Sequence, residues 1–186
     1  EDDCYADNRY QGDSVTSFFN LDSEDSVIYV GSFSKIIGPG MALGYMTAPS
    51  TVLDKIMGVK RGRISDFTAM AVERYANKFL DTHIVEINHI QKMRRDAMIS
   101  ALGENFGTSA KWSNPDGGLY IWVEFPEGTD VQALVSKSLD QINVGFHPGT
   151  DYSPDPTKGH NFMRLCYGYN DTEDISVGIS KLAEFL

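Results

Sequence analysis

The sequence predicts an α/β protein that continues into a smaller α+β lobe. Residues 26–30 form a β-rich apolar run without polar alternation, which is typical of a strand buried on both faces. Residues 83–103 carry apolar side chains at spacings of three and four, the pattern of an amphipathic helix. Residues 118–124 are rich in aromatic and β-branched side chains, which favours a further strand.

The first strand is followed by a strand and two helices. Gly38-Pro39-Gly40 predicts a turn, and residues 41–47 fit the next strand. Ser50 is the expected N-cap of a short helix over residues 51–59. Ser65 or Asp66 is expected to cap another helix that runs to about residue 80. Its expected apolar face consists of Phe67, Met70, Ala71, Tyr75 and Leu80.

The longest helical pattern divides the chain. Asp81-Thr82 predicts a new cap before the helix of residues 83–103, and Gly103 is expected to end that helix. This helix is the expected joint, so we predict a first domain over residues 1–82 and a smaller C-terminal domain over residues 83–186. The remaining patterns of the second domain predict a helix over 131–142, a strand over 161–167 and a helix over 174–186.

Composition narrows the class of protein. The 186 residues carry a formal net charge of −10 without a concentrated acidic tail, which favours a cytoplasmic protein and disfavours nonspecific nucleic-acid binding. No apolar run reaches membrane-spanning length. Cys4 and Cys166 lack a metal-binding spacing, so reduced thiols are expected. Glu86 and His89 match only half of a di-metal helix motif, and no metal site is predicted.

Lys35 lies where a strand gives way to a glycine-containing turn. A lysine becomes a nucleophile when burial or nearby cations destabilise its ammonium form, and it then forms a Schiff base with an aldehyde. The hydroxyls of Ser32 and Ser34, with backbone N–H groups of a turn, suit a phosphate dianion. Taken alone these features are weak, because Ser-x-Ser pairs are common and most lysines are surface charges.

Three further residues extend this pattern. A carboxylate such as Asp2 is suited to hold the proton of a pyridine nitrogen, and the Tyr5 phenol is suited to a ring oxygen. Arg164 lies on an expected buried strand and therefore needs a carboxylate partner. That partner is either the carboxylate of a substrate or one belonging to the protein.

Five motifs in a fixed order carry a resemblance to a known family. The chain resembles the C-terminal half of a fold-type-I pyridoxal phosphate aminotransferase of class I/II. The aminoadipate and kynurenine aminotransferase branch is the most similar, and its domain also occurs in GntR/MocR-type regulators. The motifs are Glu1-Asp2-Asp3-Cys4-Tyr5, Gly31-Ser32-Phe33-Ser34-Lys35, Gly117-Gly118-Leu119-Tyr120-Ile121-Trp122, Pro148-Gly149 and Met163-Arg164-Leu165.

The resemblance assigns roles to individual residues. It implies pyridoxal 5'-phosphate as cofactor, with Lys35 as the catalytic residue that forms the Schiff base and moves protons. Arg164 would bind the substrate α-carboxylate. It also implies amino acid and 2-oxo acid substrates, a homodimer, and a fold made of the remnant of a mixed large-domain sheet plus a smaller α+β domain. The residues implied in cofactor binding are Asp2, Tyr5, Ser32, Ser34 and Lys35.

The chain departs from the family pattern in two ways. The family normally has an arginine seven or eight residues after the lysine as a phosphate anchor, whereas Ala42 stands there in this sequence. Loss of one charge-assisted phosphate contact costs about 1.5–3 kcal/mol of binding. The N-terminal half of the family's fold is also missing from this sequence, so we expect a fragment of a longer protein.

Three alternatives to an aminotransferase stay open at this point. The same scaffold and cofactor also support lyase or decarboxylase chemistry. A non-catalytic ligand-sensing domain of a transcription regulator would share the fold but needs a winged helix-turn-helix, which this sequence does not contain. A folded but inactive fragment is the third alternative.

Overall fold

The structure is a computed structural model that describes residues 1–155 and 157–186. It divides into two compact units, Glu1–Asn88 and His89–Leu186. The division falls inside a helix rather than at residue 82, and the predicted domain boundary stays a prediction. Of the helices in the described ranges, none combines the length and the apolar character needed to cross a lipid bilayer.

The first unit is built on a short strand with neighbours on both edges. Strand β1, Tyr29–Ser32, pairs antiparallel with strand β2, Gly44–Thr47. On its other edge the N-terminal residues run parallel to it through a bridge between Asp2 and Val30. The Val30 N–H donates to Glu1 O at 2.9 Å, and the Asp3 N–H donates to Val30 O at 2.9 Å. The strand therefore has one parallel and one antiparallel neighbour, as in a mixed sheet.

Two short helices complete the first unit's periphery. Helix α1 spans Phe18–Leu21, and the side chain of Ser17 caps it by accepting the Asn20 N–H at 3.1 Å. Helix α2 spans Ser50–Val59. The prediction of Ser50 as its N-cap is wrong, because Pro49 occupies the cap and Ser50 is the first helical residue. Pro49 has a φ of −54° and a ψ of 143°, the extended backbone that an N-cap residue adopts before the first helical residue.

The two helices predicted around residues 66–103 are one helix, α3, which spans Asp66–Phe106. Ser65 caps it by accepting the Thr68 N–H at 3.3 Å. The expected cap at Asp81-Thr82 is wrong, because neither residue breaks a helix when its neighbours continue the pattern. The expected stop at Gly103 is also wrong. The helix ends at Phe106, and the next residue, Gly107, has a φ of +53°, the left-handed conformation that terminates helices.

The second unit is a four-stranded antiparallel sheet packed against helices. Strands β3 (Lys111–Trp112), β4 (Tyr120–Glu124), β5 (His147–Pro148) and β6 (Phe162–Cys166) lie in the order β3-β4-β6-β5. Helices α4 and α5 span Val135–Ile142 and Thr172–Phe185. The buried face of the sheet and the helices share one core. Its members include Leu102, Ile121, Val123, Met163, Leu165, Ile175, Ile179 and Leu182.

The first unit buries far fewer apolar side chains. The predicted apolar face of its helix is wrong at Phe67 and Met70, which are 83% and 71% exposed. Val72 is the side chain that this helical turn buries. The helical spacing is present in the sequence, but the described part of the first unit provides no apolar surface over Phe67 and Met70.

Candidate active site

Lys35 lies in a tight turn that begins where β1 ends. The Phe33 carbonyl oxygen accepts the backbone N–H groups of Ile36, Ile37 and Gly38 at 3.3, 2.8 and 3.2 Å. The Phe33 N–H donates to Leu43 O at 3.0 Å, which ties the start of the turn to the neighbouring chain segment. This hydrogen bonding fixes the backbone of a half-buried lysine, so its position is set by the fold.

Two side chains that are distant in the sequence hold the same turn. The Asn8 amide, 1% exposed, donates from Nδ2 to Lys35 O at 3.3 Å. His83 on α3 has its Nε2 2.9 Å from Ile36 O, so the tautomer protonated at Nε2 donates there. The Tyr75 ring packs edge-on against the His83 ring at 5.6 Å. Sequence patterns did not indicate Asn8, and they placed His83 at a helix start rather than in contact with this turn.

The predicted ring-binding residues lie in the same unit as Lys35. The Lys35 Nζ is 5.7 Å from the centroid of the Tyr5 ring. Asp2 is exposed, and its Oδ1 accepts the Cys4 Sγ–H at 2.8 Å and the Cys4 N–H at 3.4 Å. The hydrogen bond to Asp2, together with burial, raises the pKa of the Cys4 thiol above its ordinary value. The thiol therefore stays protonated and keeps donating to the carboxylate.

The two predicted phosphate ligands are coupled to each other. The Ser34 N–H donates to the Ser32 Oγ at 3.1 Å, and both side chains are half-buried. A hydroxyl has one donor and two acceptor positions, so the Ser32 hydroxyl hydrogen remains available for an anion. Ala42, at the usual arginine position, has a φ of +46°, and its N–H donates to Pro39 O at 3.1 Å. Its side chain is exposed.

These residues fit a phosphorylated pyridine aldehyde in part. An amine, a phenol, a carboxylate and two hydroxyls are collected around β1 and the turn after it. The carboxylate already accepts hydrogen bonds, which is the capacity that a protonated ring nitrogen needs. Ala42 supplies no charge, so the phosphate end has hydroxyl and backbone donors at this point without a guanidinium. The individual roles of Asp2, Tyr5, Ser32, Ser34 and Lys35 stay predictions.

Arg164, in the second unit, projects from the face of β6 opposite the core. Its neighbours Met163 and Leu165 are buried, and strand alternation puts its side chain on the other face. Its Cζ lies 4.1 Å from the centroid of the Tyr120 ring and 4.3 Å from that of the Tyr152 ring. Its buried Nε has no hydrogen-bond partner among the described residues.

The sequence left open whether a protein carboxylate pairs with Arg164. No carboxylate of the described chain forms an ion pair with it, and the role of Arg164 in binding a substrate carboxylate stays a prediction. The aromatic neighbours were not predicted as site residues. The alternation of β4 does contain part of this signal, since it puts Tyr120 and Trp122 on the face opposite Ile121 and Val123.

The described residues do not form a recognisable metal-binding site. No group of three or more His, Cys, Asp or Glu side chains among them is arranged to hold an ion. The Glu86 and His89 pair accordingly has no third ligand within the described ranges.

Comparison with known proteins gives a family match over nearly the whole chain. The family model described as "Aminotransferase class I and II" matches residues 2–182. Aromatic-amino-acid aminotransferase 1 of Thermococcus litoralis is 35% identical over 99% of this chain and 45% of its own length. The chain thus spans about half the length of the curated relatives that it matches.

Solved structures give the same picture. The α-aminoadipate aminotransferase LysN of Thermus thermophilus, complexed with N-(5'-phosphopyridoxyl)-L-leucine, matches with a TM-score of 0.91 and 27% identity. That match covers 98% of this chain and 48% of LysN. A Pyrococcus horikoshii kynurenine aminotransferase matches with a TM-score of 0.91 and 36% identity, over 99% of this chain and 46% of its own.

Some relatives are not described as enzymes. Proteins of Bacillus subtilis and Staphylococcus aureus described as HTH-type transcriptional regulators are 27–28% identical over 98–100% of this chain. This chain covers 38–42% of their lengths.

Proposed function

The chain belongs to the class I and II aminotransferases, and we propose that it is the lysine-bearing half of an enzyme that transfers an amino group between an amino acid and a 2-oxo acid. Pyridoxal 5'-phosphate is the cofactor of this family. The fold is the partial fold-type-I architecture that the sequence predicted. The observation that carries the proposal is the hydrogen-bonded turn after β1, which fixes the Lys35 backbone, together with the 5.7 Å distance between the Lys35 Nζ and the centroid of the Tyr5 ring.

Five residues of the first unit have separate roles in this proposal. Lys35 would supply the amine that holds the cofactor aldehyde as a Schiff base, and the same amine would be the group that takes and returns the substrate α-proton. Asp2 accepts the hydrogen bond of a protonated pyridine nitrogen, and Tyr5 donates to the ring oxygen. Ser32 and Ser34 donate to the phosphate. The bound cofactor supplies the electron-withdrawing ring that stabilises charge at the substrate α-carbon.

Arg164 binds the substrate α-carboxylate through its planar, two-pronged guanidinium. Arg164 lies in the second unit, and no carboxylate of the described residues forms an ion pair with it. The whole protein is proposed to be a cytoplasmic homodimer in which residues 1–82 belong to the large domain and residues 83–186 to the small one.

The test is covalent capture of pyridoxal phosphate by the chain. We expect a visible imine band on adding the cofactor, and borohydride reduction followed by peptide mapping should place the label on Lys35. Lys35→Ala should remove the band, whereas Lys55→Ala, at an exposed lysine on α2, should retain it. No band, or label spread evenly over surface lysines, would contradict the role of Lys35 in this chain.

The regulator-like relatives support one second candidate, a non-catalytic ligand-sensing domain. Both candidates capture the cofactor at Lys35, so the discriminating measurement is a half-reaction. An aminotransferase converts the lysine-bound form to the amine form of the cofactor when an amino acid is added. A sensing domain binds the amino acid without that spectral conversion. A lyase or decarboxylase would release a product other than a 2-oxo acid.

A further inference from the structure

We propose that Tyr152, together with Tyr120, positions the guanidinium of Arg164 so that its hydrogen-bonding edge is presented to a carboxylate. The inference rests on the proposed function, because it takes the α-carboxylate of the substrate as the ligand of Arg164. Tyr152 acts through Arg164 and is a positioning residue.

The Arg164 guanidinium is in contact with two aromatic rings. The Cζ atom is 4.1 Å from one ring centroid and 4.3 Å from the other, both within the range of cation–π attraction. Tyr120 lies on β4, which pairs with β6. Tyr152 reaches Arg164 from a separate turn, Gly149–Tyr152, so two independent segments contact the same side chain.

The Tyr152 ring is itself held by neighbours on the same face of the sheet. The Trp122 ring meets it edge-on at 5.8 Å, and the His147 ring does so at 6.3 Å. Trp122 is stacked on Phe162 with centroids 5.6 Å apart and an interplanar angle of 22°. This aromatic cluster restricts where the Tyr152 ring can move, although Tyr152 is 44% exposed.

Close backbone packing fixes the turn that carries Tyr152. A methyl group at Gly149 would lie 2.5 Å from Phe162 Cβ and 2.6 Å from Gly159 O, so this position has no room for a side chain. The Thr150 hydroxyl donates to Gln132 Oε1 at 2.7 Å. The first two residues of the turn are therefore held in place, Gly149 by packing and Thr150 by a hydrogen bond.

A guanidinium that packs its flat face on an aromatic ring keeps its in-plane N–H donors free to bind a ligand. The rings attract it through its flat faces and offer no in-plane acceptor to its N–H groups. The contact also reduces the number of rotamers that a long side chain loses on binding a ligand. A planar carboxylate in the plane of the guanidinium then gains two parallel hydrogen bonds without first ordering the arginine.

The experiment follows the Arg164 Nε–H proton of the full chain by NMR and uses acetate as the carboxylate probe. The resonance is assigned by its loss in Arg164→Lys. In the wild-type chain, ring currents should move this proton upfield of the other arginine signals, and acetate titration should shift it further. Tyr152→Leu should remove a large part of the ring-current shift and weaken acetate binding by about five- to thirty-fold.

Two variants separate the ring from other effects. Tyr152→Phe keeps the ring and should leave both the shift and the acetate affinity close to wild type. Tyr169→Leu removes a tyrosine of the same unit that is 89% exposed, and it should change neither quantity. An effect of Tyr152→Phe as large as that of Tyr152→Leu would contradict a role of the ring.

The outcomes distinguish this inference from the proposed function. An unshifted Nε–H in the wild-type chain, or unchanged acetate affinity in Tyr152→Leu, would overturn the positioning role while capture of cofactor at Lys35 stands. If acetate leaves the Arg164 resonance unmoved, both the carboxylate role of Arg164 and this inference fail. Failure of cofactor capture with a normal acetate response would instead overturn only the proposed role of Lys35.

Discussion

The two units of this chain differ in what holds them together. All but two of the buried apolar side chains in the described chain lie in the second unit, the exceptions being Leu43 and Val72. Most of the large exposed apolar side chains lie in the first unit, with Phe18, Phe67 and Met70 at 70% exposure or more. The first unit relies on backbone pairing along β1 and on polar ties. The second unit has a hydrophobic core in the ordinary sense.

Side-chain hydrogen bonds tie the N-terminal segment of the first unit to α1 and to the start of β1. The Glu1 carboxylate accepts the N–H groups of Phe18 and Phe19 at 3.0 and 2.9 Å. The Tyr29 hydroxyl donates to Asp3 Oδ2 at 3.0 Å, and burial with this bond raises the pKa of Tyr29. The residues proposed to bind cofactor thus lie on the unit with little core of its own. Apolar burial contributes most of a fold's free energy, so the two units should respond differently to the same kind of substitution.

The largest expected contrast is between truncations of buried and exposed apolar side chains. Leu102→Ala, at a fully buried position, should lower the free energy of unfolding of the second unit by about 2–5 kcal/mol. Phe67→Ala, at a side chain that is 83% exposed, should change it by less than about 0.5 kcal/mol. Both tryptophans lie in the second unit, so denaturant unfolding followed by tryptophan fluorescence measures it selectively. Equal effects would refute the contrast.

The next effect concerns ligand binding by the first unit. Ala42→Arg should strengthen pyridoxal phosphate binding by about ten- to a hundred-fold, because one charge-assisted hydrogen bond contributes about 1.5–3 kcal/mol. The position is exposed and already has a left-handed backbone with a side chain, so the substitution adds little strain. Ala42→Gln, with similar reach but no charge, is the control. The measurement is absorbance titration. Equal gains from both variants would show that charge is not the cause.

A smaller contrast comes from adding one methyl group to a glycine in each unit. Gly149→Ala meets the Phe162 Cβ and the Gly159 backbone, which cannot move aside, and should cost about 1–3 kcal/mol. Gly31→Ala meets the tip of the Tyr45 ring, a 48% exposed side chain that packs against Tyr29 and Phe33 but can shift more readily than backbone. We expect a cost below about 1 kcal/mol there. Hydrogen exchange of amides in β1 and β6 reports the two costs separately. A larger loss in β1 than in β6 would contradict the expectation.

The smallest effect is pH-dependent. Asp22 accepts the N–H groups of Glu24, Ser26 and Val27, and these bonds lower the pKa of Asp22 below its ordinary value. A folded-state pKa below the unfolded one stabilises the fold above the unfolded pKa, and this contribution is lost as pH falls through the folded pKa. Asp22→Ala should therefore speed hydrogen exchange at Val27 near neutral pH and lose its effect in acid. An acid-insensitive difference would point to another cause.

Sequence patterns predicted helices and strands best where the signal lies within the element itself. The strand expected over residues 161–167 is present as β6, Phe162–Cys166, because strand patterns are local. The fusion of two predicted helices into α3 was missed because Asp81-Thr82 is a cap only when the preceding turn ends. Phe67 and Met70 were expected to be buried because helical spacing reports which side chains share a face and not whether anything covers it.

The sequence indicated only some of the residues that form the candidate site. Lys35 and the serines follow from one contiguous motif, although their roles stay predictions. Asn8 and His83 reach the Lys35 turn from 27 and 47 residues away, and no local pattern contains that information. The two rings around Arg164 come from β4 and a turn that are also distant in sequence. Such contacts depend on tertiary packing, which a single sequence does not specify residue by residue.

Along β1 the candidate site has a hydrogen-bond donor at one end and an acceptor at the other. At Ser32 one acceptor position of the hydroxyl is taken by the Ser34 N–H, which leaves the hydroxyl hydrogen available as a donor. Two residues back, Val30 is bridged to Asp2, whose carboxylate acts as an acceptor for Cys4. Two residues of strand span about 7 Å. The proposed cofactor, with a phosphate at one end and a protonated ring nitrogen at the other, would therefore bind in one orientation, because the reversed orientation would place its phosphate against the Asp2 carboxylate.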